Sequence, residues 1–448
     1  MKSLTIPFNP ATSTKSQISS LVTTALTTSP PPTHHNAAVI LASSSLAPWL
    51  QDETFLASLL APLRSPSGLD VLAAAVDAIP HLSTPTGAYT TTQGLSILHG
   101  PSASLLPDLW SPTPTTSVSE KASLEFHLPP LPLPSDPRAR PLRVTLPAAL
   151  TLFANGRPHT VLASRWTTSP TASPRLVDVA ARSHAVIRPG PAASSSSRIV
   201  LPLVPVTPAR RVVAGLGNIL RQVEVDGRPT PASKELEEAI PRLLAARAER
   251  GWERQAVGVW AVVYPAATEG VRFPGVVVGG SSGGEAEAAG EVEGMMGGLL
   301  ARGGHVRKVL SGGGGWGVKQ GLLSLDPQTR YDVAEEEDVE SFMRSFHGEE
   351  AGGGVVAPGS WVQFMVEAVE VGGGEGGGLA TILGTHVGEG SLGGAGGEVE
   401  VLGGVFGAAS SQGIYVATGA AGHTEDGEIV TKIDAARAYV GSVLGEVE

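Results

Sequence analysis

The stretch Ser311-Gly-Gly-Gly-Gly-Trp-Gly-Val-Lys319 follows a strand-like run, His305–Leu310. Its composition suits a loop that wraps an anion in backbone amides. A nucleotide-hydrolysing phosphate loop needs Lys directly after its last Gly and a hydroxyl after the Lys. Gly312 and Gly317 are correctly separated, but Val318 displaces Lys319 and Gln320 stands where a magnesium-ligating hydroxyl belongs. What remains is either a ligand-contacting loop with Trp316 as a lid or a structural turn. Gly280-Ser-Ser282-Gly-Gly284 fits the serine-nucleophile pattern after Val276–Val278. That chemistry needs a firm helix behind the serine, and Gly279–Gly298 reads as a Gly/Glu/Ala-rich loop. A hydrolase on Ser282, with His347, His386 or His423 as base, therefore stands as the alternative from another class. His423-Thr-Glu425-Asp426-Gly-Glu428 gathers cation-binding types. It lacks the spacing of a calcium loop or a zinc-peptidase His pair, so a solvated turn is expected and no metal or cofactor site is assigned. Arg157, Arg165, Arg210, Arg211 and Arg221 offer forks for a ligand carboxylate, or for internal salt bridges.

Positioning these groups requires a scaffold, and the pattern is mixed α/β. Strand-like runs are Val39–Leu41, Leu95–Leu98, Ile199–Val204 and Val257–Tyr264. Helical stripes are Ser16–Leu26, Glu53–Leu63, Ser233–Arg250 and Ile433–Leu444, the last placing Ile433, Ala436, Val440, Val443 and Leu444 on one face. Phe153-Ala-Asn-Gly-Arg157 between apolar runs predicts a hairpin turn. Ser111–Pro141, Thr167–Ser197 and Gly372–Gly397, rich in Pro, Ser or Gly, read as loops with too little apolar surface to offset ordering. Trp110, Trp166, Trp252 and Trp361 read as packing residues, and His34-His35 as an exposed turn.

Composition narrows the function classes. The 448 residues allow two or three domains. Cys is absent, which removes disulfides, thiolate metal sites and a thiol nucleophile, and fits an intracellular setting. Net charge is −11, split between +6 over residues 1–225 and −17 beyond. An acidic second half, part of it the run Glu335–Glu340, argues against nucleic-acid binding. No uninterrupted apolar run is long enough to span a membrane. The first 51 residues hold Lys2 and Lys15 and no acid. A mitochondrial transit peptide shares that lack of acids but carries Arg, so a folded helix-strand unit is expected there, in a cytoplasmic protein with a mitochondrial alternative.

The segment from Val213 to Ile240 holds a small-residue turn (Gly215, Gly217, Asn218), an alternating run, the Asp226-Gly227 turn, and then Thr230 and Pro231 as cap and first turn of a helix that Pro241 should kink. This order resembles the junction of FIST-domain proteins, between their N-terminal and C-terminal halves. Ala38–Ser44 is similar to the family's opening strand. Val306-Arg-Lys-Val-Leu310 with Leu322-Leu-Ser-Leu-Asp-Pro327 resembles its "R..L..DP" stretch. Pro358-Gly-Ser-Trp-Val-Gln-Phe-Met365 resembles a strand entered by a Gly turn, and Gly404–Gly413 its closing small-residue turn. The Ala/Pro/Gly usage looks like that of a filamentous fungal member without an F-box.

The resemblance implies two mixed α/β lobes, 15–225 and 226–448, with long Pro/Ser-rich and Gly-rich loop insertions. It implies non-catalytic intracellular sensing or signalling through a small ligand, such as an amino acid or small carboxylate, or through a protein partner. The expected site unites Gly217, Asn218 and Arg221 from the junction, Gly314, Trp316 and Lys319 from the Gly loop, and Phe406, Ser410 and Ser411 from the closing turn. Amides and Lys319 would hold a carboxylate while Trp316 and Phe406 cover its apolar part. A scaffold subunit of a larger assembly, with a mitochondrial one among the alternatives, is a third reading.

Overall fold

Strands outweigh helices, 45% against 23%, so sheet sets the architecture of this mixed α/β chain. A computed structural model describes residues 1–28, 32, 34–83, 88–111, 121–132, 141–169, 172–190, 196–252, 257–266, 273–277, 284–312, 321–328, 331, 356–369, 379–387, 399–418 and 429–443.

A seven-stranded sheet comprises β1 (Lys2–Pro7), β2 (Ala37–Ser43), β3 (Leu69–Val76), β6 (Gly94–Gly100), β9 (Val161–Thr167), β10 (Arg175–Ala181) and β22 (Leu402–Gly403), ordered β10-β9-β3-β2-β6-β1-β22. Only β2 and β3 run parallel. The helices α1 (Lys15–Thr28) and α2 (Glu53–Leu60) cover one face, where Ile18, Val22, Phe55 and Leu59 meet Ile40, Ala42, Val71 and Ala73. Val39, Leu41, Leu72 and Ala74 face the central core on the other side. Burial on both faces explains why β2 is almost wholly apolar in sequence.

A five-stranded sheet holds β7 (Ser123–Leu128), β8 (Leu142–Pro147), β11 (His184–Ile187), β24 (Ile414–Thr418) and β25 (Ile429–Ile433), ordered β11-β7-β8-β24-β25. A four-stranded sheet holds β12 (Ser196–Val200), β21 (Leu379–Thr385), β23 (Phe406–Ser410) and β26 (Tyr439–Val443), ordered β12-β26-β21-β23. The hairpin β4 (Ile79–Ser83) and β5 (Ala88–Thr92) stands beside them. The pairings β1–β22, β8–β24 and β12–β26 each join strands from either side of residue 225.

The remaining strands close a barrel. β14 (Arg210–Leu216), β15 (Ile219–Val225), β19 (Leu323–Leu325), β18 (His305–Gly312), β17 (Val259–Tyr264) and β20 (Trp361–Glu367) form an antiparallel ring of six, because β20 pairs with both β17 and β14. β13 (Leu203–Pro205) and β16 (Arg228–Pro231) attach to β20 and β15. Side chains alternate across the ring. Trp260, Val262, Tyr264 and Met365 join the central core shared with the other sheets, so they lie outside. Ala261, Val263, Val362, Phe364 and Val366 therefore line the inside, where α5 (Lys234–Glu249) adds Leu236 and Leu243. A six-stranded ring is narrow enough for side chains to fill.

Several sequence expectations are corrected. Gly279–Gly298 is no loop where described: α6 (Gly284–Ala301) is a helix. Its Ala289, Val292, Met296, Leu299 and Leu300 form a buried stripe. That packing outweighs the roughly 1 kcal/mol each interior Gly costs. Ile433–Leu444 is no helix: Ile433 ends β25, and Tyr439–Val443 forms β26 between β12 and β21. Its β-branched and aromatic residues suit a pleated strand, and periodicity alone cannot separate the two over a short apolar run.

The Asn-Gly turn closes one isolated antiparallel bridge, Leu150 to His159, and no hairpin ladder, because its flanking runs belong to different sheets. Leu152–Asn155 forms α4, and Gly156, at φ 75°, caps it in the left-handed conformation. The supposed loops hold β7, β10, β11 and β21, and the single turn α3 (Ser102–Leu105) precedes the first of them. Thr230 and Pro231 lie in β16, so Ser233 rather than Thr230 precedes α5. α5 runs through Pro241 unbroken. Pro241 and Glu237 are both exposed, so solvent can take the carbonyl that the missing N–H releases.

Candidate functional site

A pocket opens where the seven-stranded sheet begins its parallel pair. Asp70 and Arg165 stand directly opposite on β3 and β9, and share a face. Asn36 immediately precedes β2. Asp70 accepts from three donors: Trp110 Nε1 at 2.9 Å and Arg165 Nε at 3.0 Å through Oδ1, and Ser102 Oγ at 3.0 Å through Oδ2. The Arg165 guanidinium lies 4.6 Å from the centre of the Trp110 ring. One edge of Arg165 is thus fixed by a carboxylate and one face by an indole. Among the described residues Nη1 and Nη2 have no partner, and the side chain is half-exposed.

Asp70, Arg165 and Asn36 border a cavity of about 520 Å³. Pro66, Leu69, Trp166 and Val177 supply its apolar wall, and Asn36, Ser67 and Thr167 its polar one. Asn36 Oδ1 already accepts from Ser102 N at 2.7 Å, which turns its amide nitrogen away from that bond. A pocket with an apolar wall and a few convergent donors is the usual form of a small-molecule site. Ser67 Oγ lies 3.0 Å from Ser65 Oγ, and among the described lining residues there is no imidazole.

The residues expected from sequence separate into groups with other work. Gly217 and Asn218 turn the chain from β14 into β15. Asn218 Nδ2 donates to Leu325 O at 2.8 Å and to Ser324 Oγ at 3.4 Å, and Asn218 O accepts from Leu325 N at 2.9 Å. The junction therefore clamps β19 into the barrel. Arg221 is exposed, with its carbonyl accepting from Ala232 N. Phe406 is fully buried against Phe126 and cannot cover a ligand as expected. Ser410 is fully buried, and its Oγ accepts from Gln412 N at 3.2 Å. Ser411 N and Oγ both donate to Asp77 Oδ2 at 2.7 Å. Gly314, Trp316, Lys319, Ser282, His347 and His423–Glu428 lie outside the described residues. His386 Nδ1 contacts Thr91 Oγ1 at 3.0 Å.

A polar seam lies between the barrel and the five-stranded sheet. Lys432 Nζ reaches Asp326 Oδ2 at 3.0 Å and Gln328 Oε1 at 2.9 Å. Trp260 Nε1 donates to Asp434 Oδ1 at 2.8 Å. The Tyr331 and Tyr415 rings meet at 5.9 Å, and burial raises both phenol pKa values. These groups satisfy one another and set the barrel in register on the sheet. A second buried cluster overturns the exposed reading of His35. Its Nδ1 lies 3.3 Å from His99 Nδ1. Burial, then the neighbouring His35, lowers the His99 pKa to about 3.

Among the described residues no group of three or more His, Asp or Glu is placed to hold a metal, and no helix is long and apolar enough to cross a membrane. Compared with known protein families, curated proteins and solved structures, the chain matches none. Sequence reasoning noted Arg165 as a possible fork but missed its setting. Asn36, Asp70, Trp110 and Arg165 are far apart in the chain; the β3–β9 register unites Asp70 with Arg165, and the turn after α3 brings Trp110 to them.

Proposed function

We propose that this chain binds a small carboxylate, amino acids included, in the Asp70–Arg165 pocket without transforming it, and acts as a sensory or signalling protein. The observation that carries this reading is the immobilised Arg165. Asp70 and Trp110 hold its Nε edge and ring face, leaving the two Nη groups as a preformed fork beside an apolar wall. Preorganisation of this kind lowers the entropic cost of binding. A FIST-type architecture of two mixed α/β lobes, with the Pro/Ser-rich and Gly-rich stretches as insertions, belongs to the same proposal. It is supported by the order of small-residue turn, β15, Asp226-Gly227 turn, β16 and α5 at 213–240, although the junction residues serve barrel closure. A cytoplasmic setting fits the absence of Cys.

Isothermal titration against amino acids and short mono- and dicarboxylates tests the reading. One class should bind, and Arg165→Gln should weaken it at least tenfold, about 1.4 kcal/mol. Asp70→Asn should weaken it less, since the fork then remains but is less well aimed. Unchanged affinity in Arg165→Gln, or conversion of the ligand by the wild-type protein, would refute it.

A further inference from the structure

Two partly or fully buried arginines show how this chain uses guanidinium groups. Arg210 grips Glu235 through Nε, at 3.0 and 3.1 Å, and Nη2, at 2.6 Å. Arg247 grips Glu285 through the same edge, Nε at 2.8 Å and Nη2 at 2.9 Å. Arg307, on β18, departs from this pattern. It is 3% exposed. Its one described hydrogen bond runs from Nη1 to Gln328 O at 2.8 Å, and Nε has no partner. Among the described residues no carboxylate lies within ion-pairing distance. Asp326, the acid whose charge it feels, is engaged by Lys432 Nζ at Oδ2 and by Gln328 N at Oδ1.

Register fixes where Arg307 points. It pairs with Ala261, one of the residues lining the barrel interior, and Ala261 contributes only a methyl group there. His305 pairs with Val263 of the same inner set, so both side chains enter the barrel from one strand. The Nδ1 of His305 is also buried and unpartnered. Burial lowers the Arg307 pKa to about 10, which leaves it charged at neutral pH. An isolated buried cation is costly, and a hydrophobic side chain of similar volume would avoid that cost.

We infer that the free Nε edge of Arg307, with Nδ1 of His305, holds a small oxyanion at the end of the barrel beside Gln328, a carboxylate or phosphate group that completes the fork as Glu235 and Glu285 do for Arg210 and Arg247. This site is separate from the Asp70–Arg165 pocket. Guanidinium geometry matches two oxygens of such a group through parallel bonds. A ligand that binds only the folded state raises its stability with the logarithm of concentration.

The test is thermal unfolding of the full chain in sodium chloride, acetate and phosphate at matched ionic strength. Acetate, phosphate or both should raise the wild-type midpoint progressively over chloride, and which of them acts identifies the group. Arg307→Met should abolish the rise and, in chloride, melt at or above the wild type, because an uncompensated buried charge has been removed. Arg307→Lys keeps the charge but lacks the Nε edge, and should fold yet lose most of the rise. Arg165→Gln should retain it. No rise in the wild type with either anion, or a rise preserved in Arg307→Lys, would overturn the inference. So would Arg307→Met melting well below the wild type in chloride, which would make Arg307 a structural bond to Gln328.

Discussion

Removing the Glu285 carboxylate from the first turn of α6 should be among the most damaging single changes in this chain. Glu285 is 1% exposed and Arg247 9% exposed at the side chain. Oε1 accepts from Arg247 Nε at 2.8 Å, and Oε2 accepts from Arg247 Nη2 at 2.9 Å and from Val369 N at 2.8 Å. Arg247 Nη2 also reaches Glu367 O at 2.6 Å. Glu285→Ala deletes three charge-assisted bonds and strands a buried guanidinium on one carbonyl. The stranded charge outweighs the lost bonds, and breaking such a pair from one side costs about 3–5 kcal/mol. Replacing both partners, Arg247→Met with Glu285→Leu, removes the charges together. The penalty should then shrink to the orphaned Val369 N–H, about 1–3 kcal/mol. Equilibrium urea unfolding followed by tryptophan fluorescence supplies the four stabilities of the double-mutant cycle. A coupling energy below about 0.5 kcal/mol would refute the reasoning, because that is the range of independent sites.

The His99 imidazole supplies a pH prediction. Its folded pKa, about 3, lies below the ordinary 6.5 because of burial. Below pH 6.5 the unfolded chain therefore takes up a proton that the folded chain refuses. Stability falls as pH drops from 6.5 towards 3, by up to about 1.4 kcal/mol per pH unit. His99→Asn should flatten the decline in urea midpoint across that window, and a slope equal to the wild type would remove His99 from the account. Gly407 sits in the buried strand β23, where a Cβ would lie 2.1 Å from Ile382 O and 2.6 Å from Pro80 Cγ. Backbone cannot yield as a side chain can, so Gly407→Ala should cost about 1–3 kcal/mol, and a variant as stable as wild type would show that β21 and β23 can separate.

What was legible in sequence was local. The stripes of α1 and α5 and the apolar runs of β2, β6 and β17 emerged close to their observed bounds, because each buries a face its own spacing announces. α6 was hidden by its glycines, whose unfavourable propensity is overcome only by the core that Val292, Met296 and Leu300 enter. β26 was hidden because Val440 and Val443 satisfy a helical period as well as a strand. The Asp70–Arg165 pocket had no local signature. The junction at Gly217 and Asn218 stands out in sequence by its small residues, and in the structure its polar groups help close a ring of strands.

The late pairings impose an order on how this protein can be made. β12, an edge strand, has β26 as its sheet partner among the described residues. Val144 of β8 meets Val416 of β24 only after about 270 further residues have been synthesised, which at 5–20 residues per second is on the order of 15–50 s. Through that interval one edge of β8 stands ready to pair with a stranger, and β12, once made, waits a comparable time for β26. Nascent chains stalled before residue 410 should therefore depend on ribosome-associated chaperones, and rare codons in that interval would lengthen the exposure.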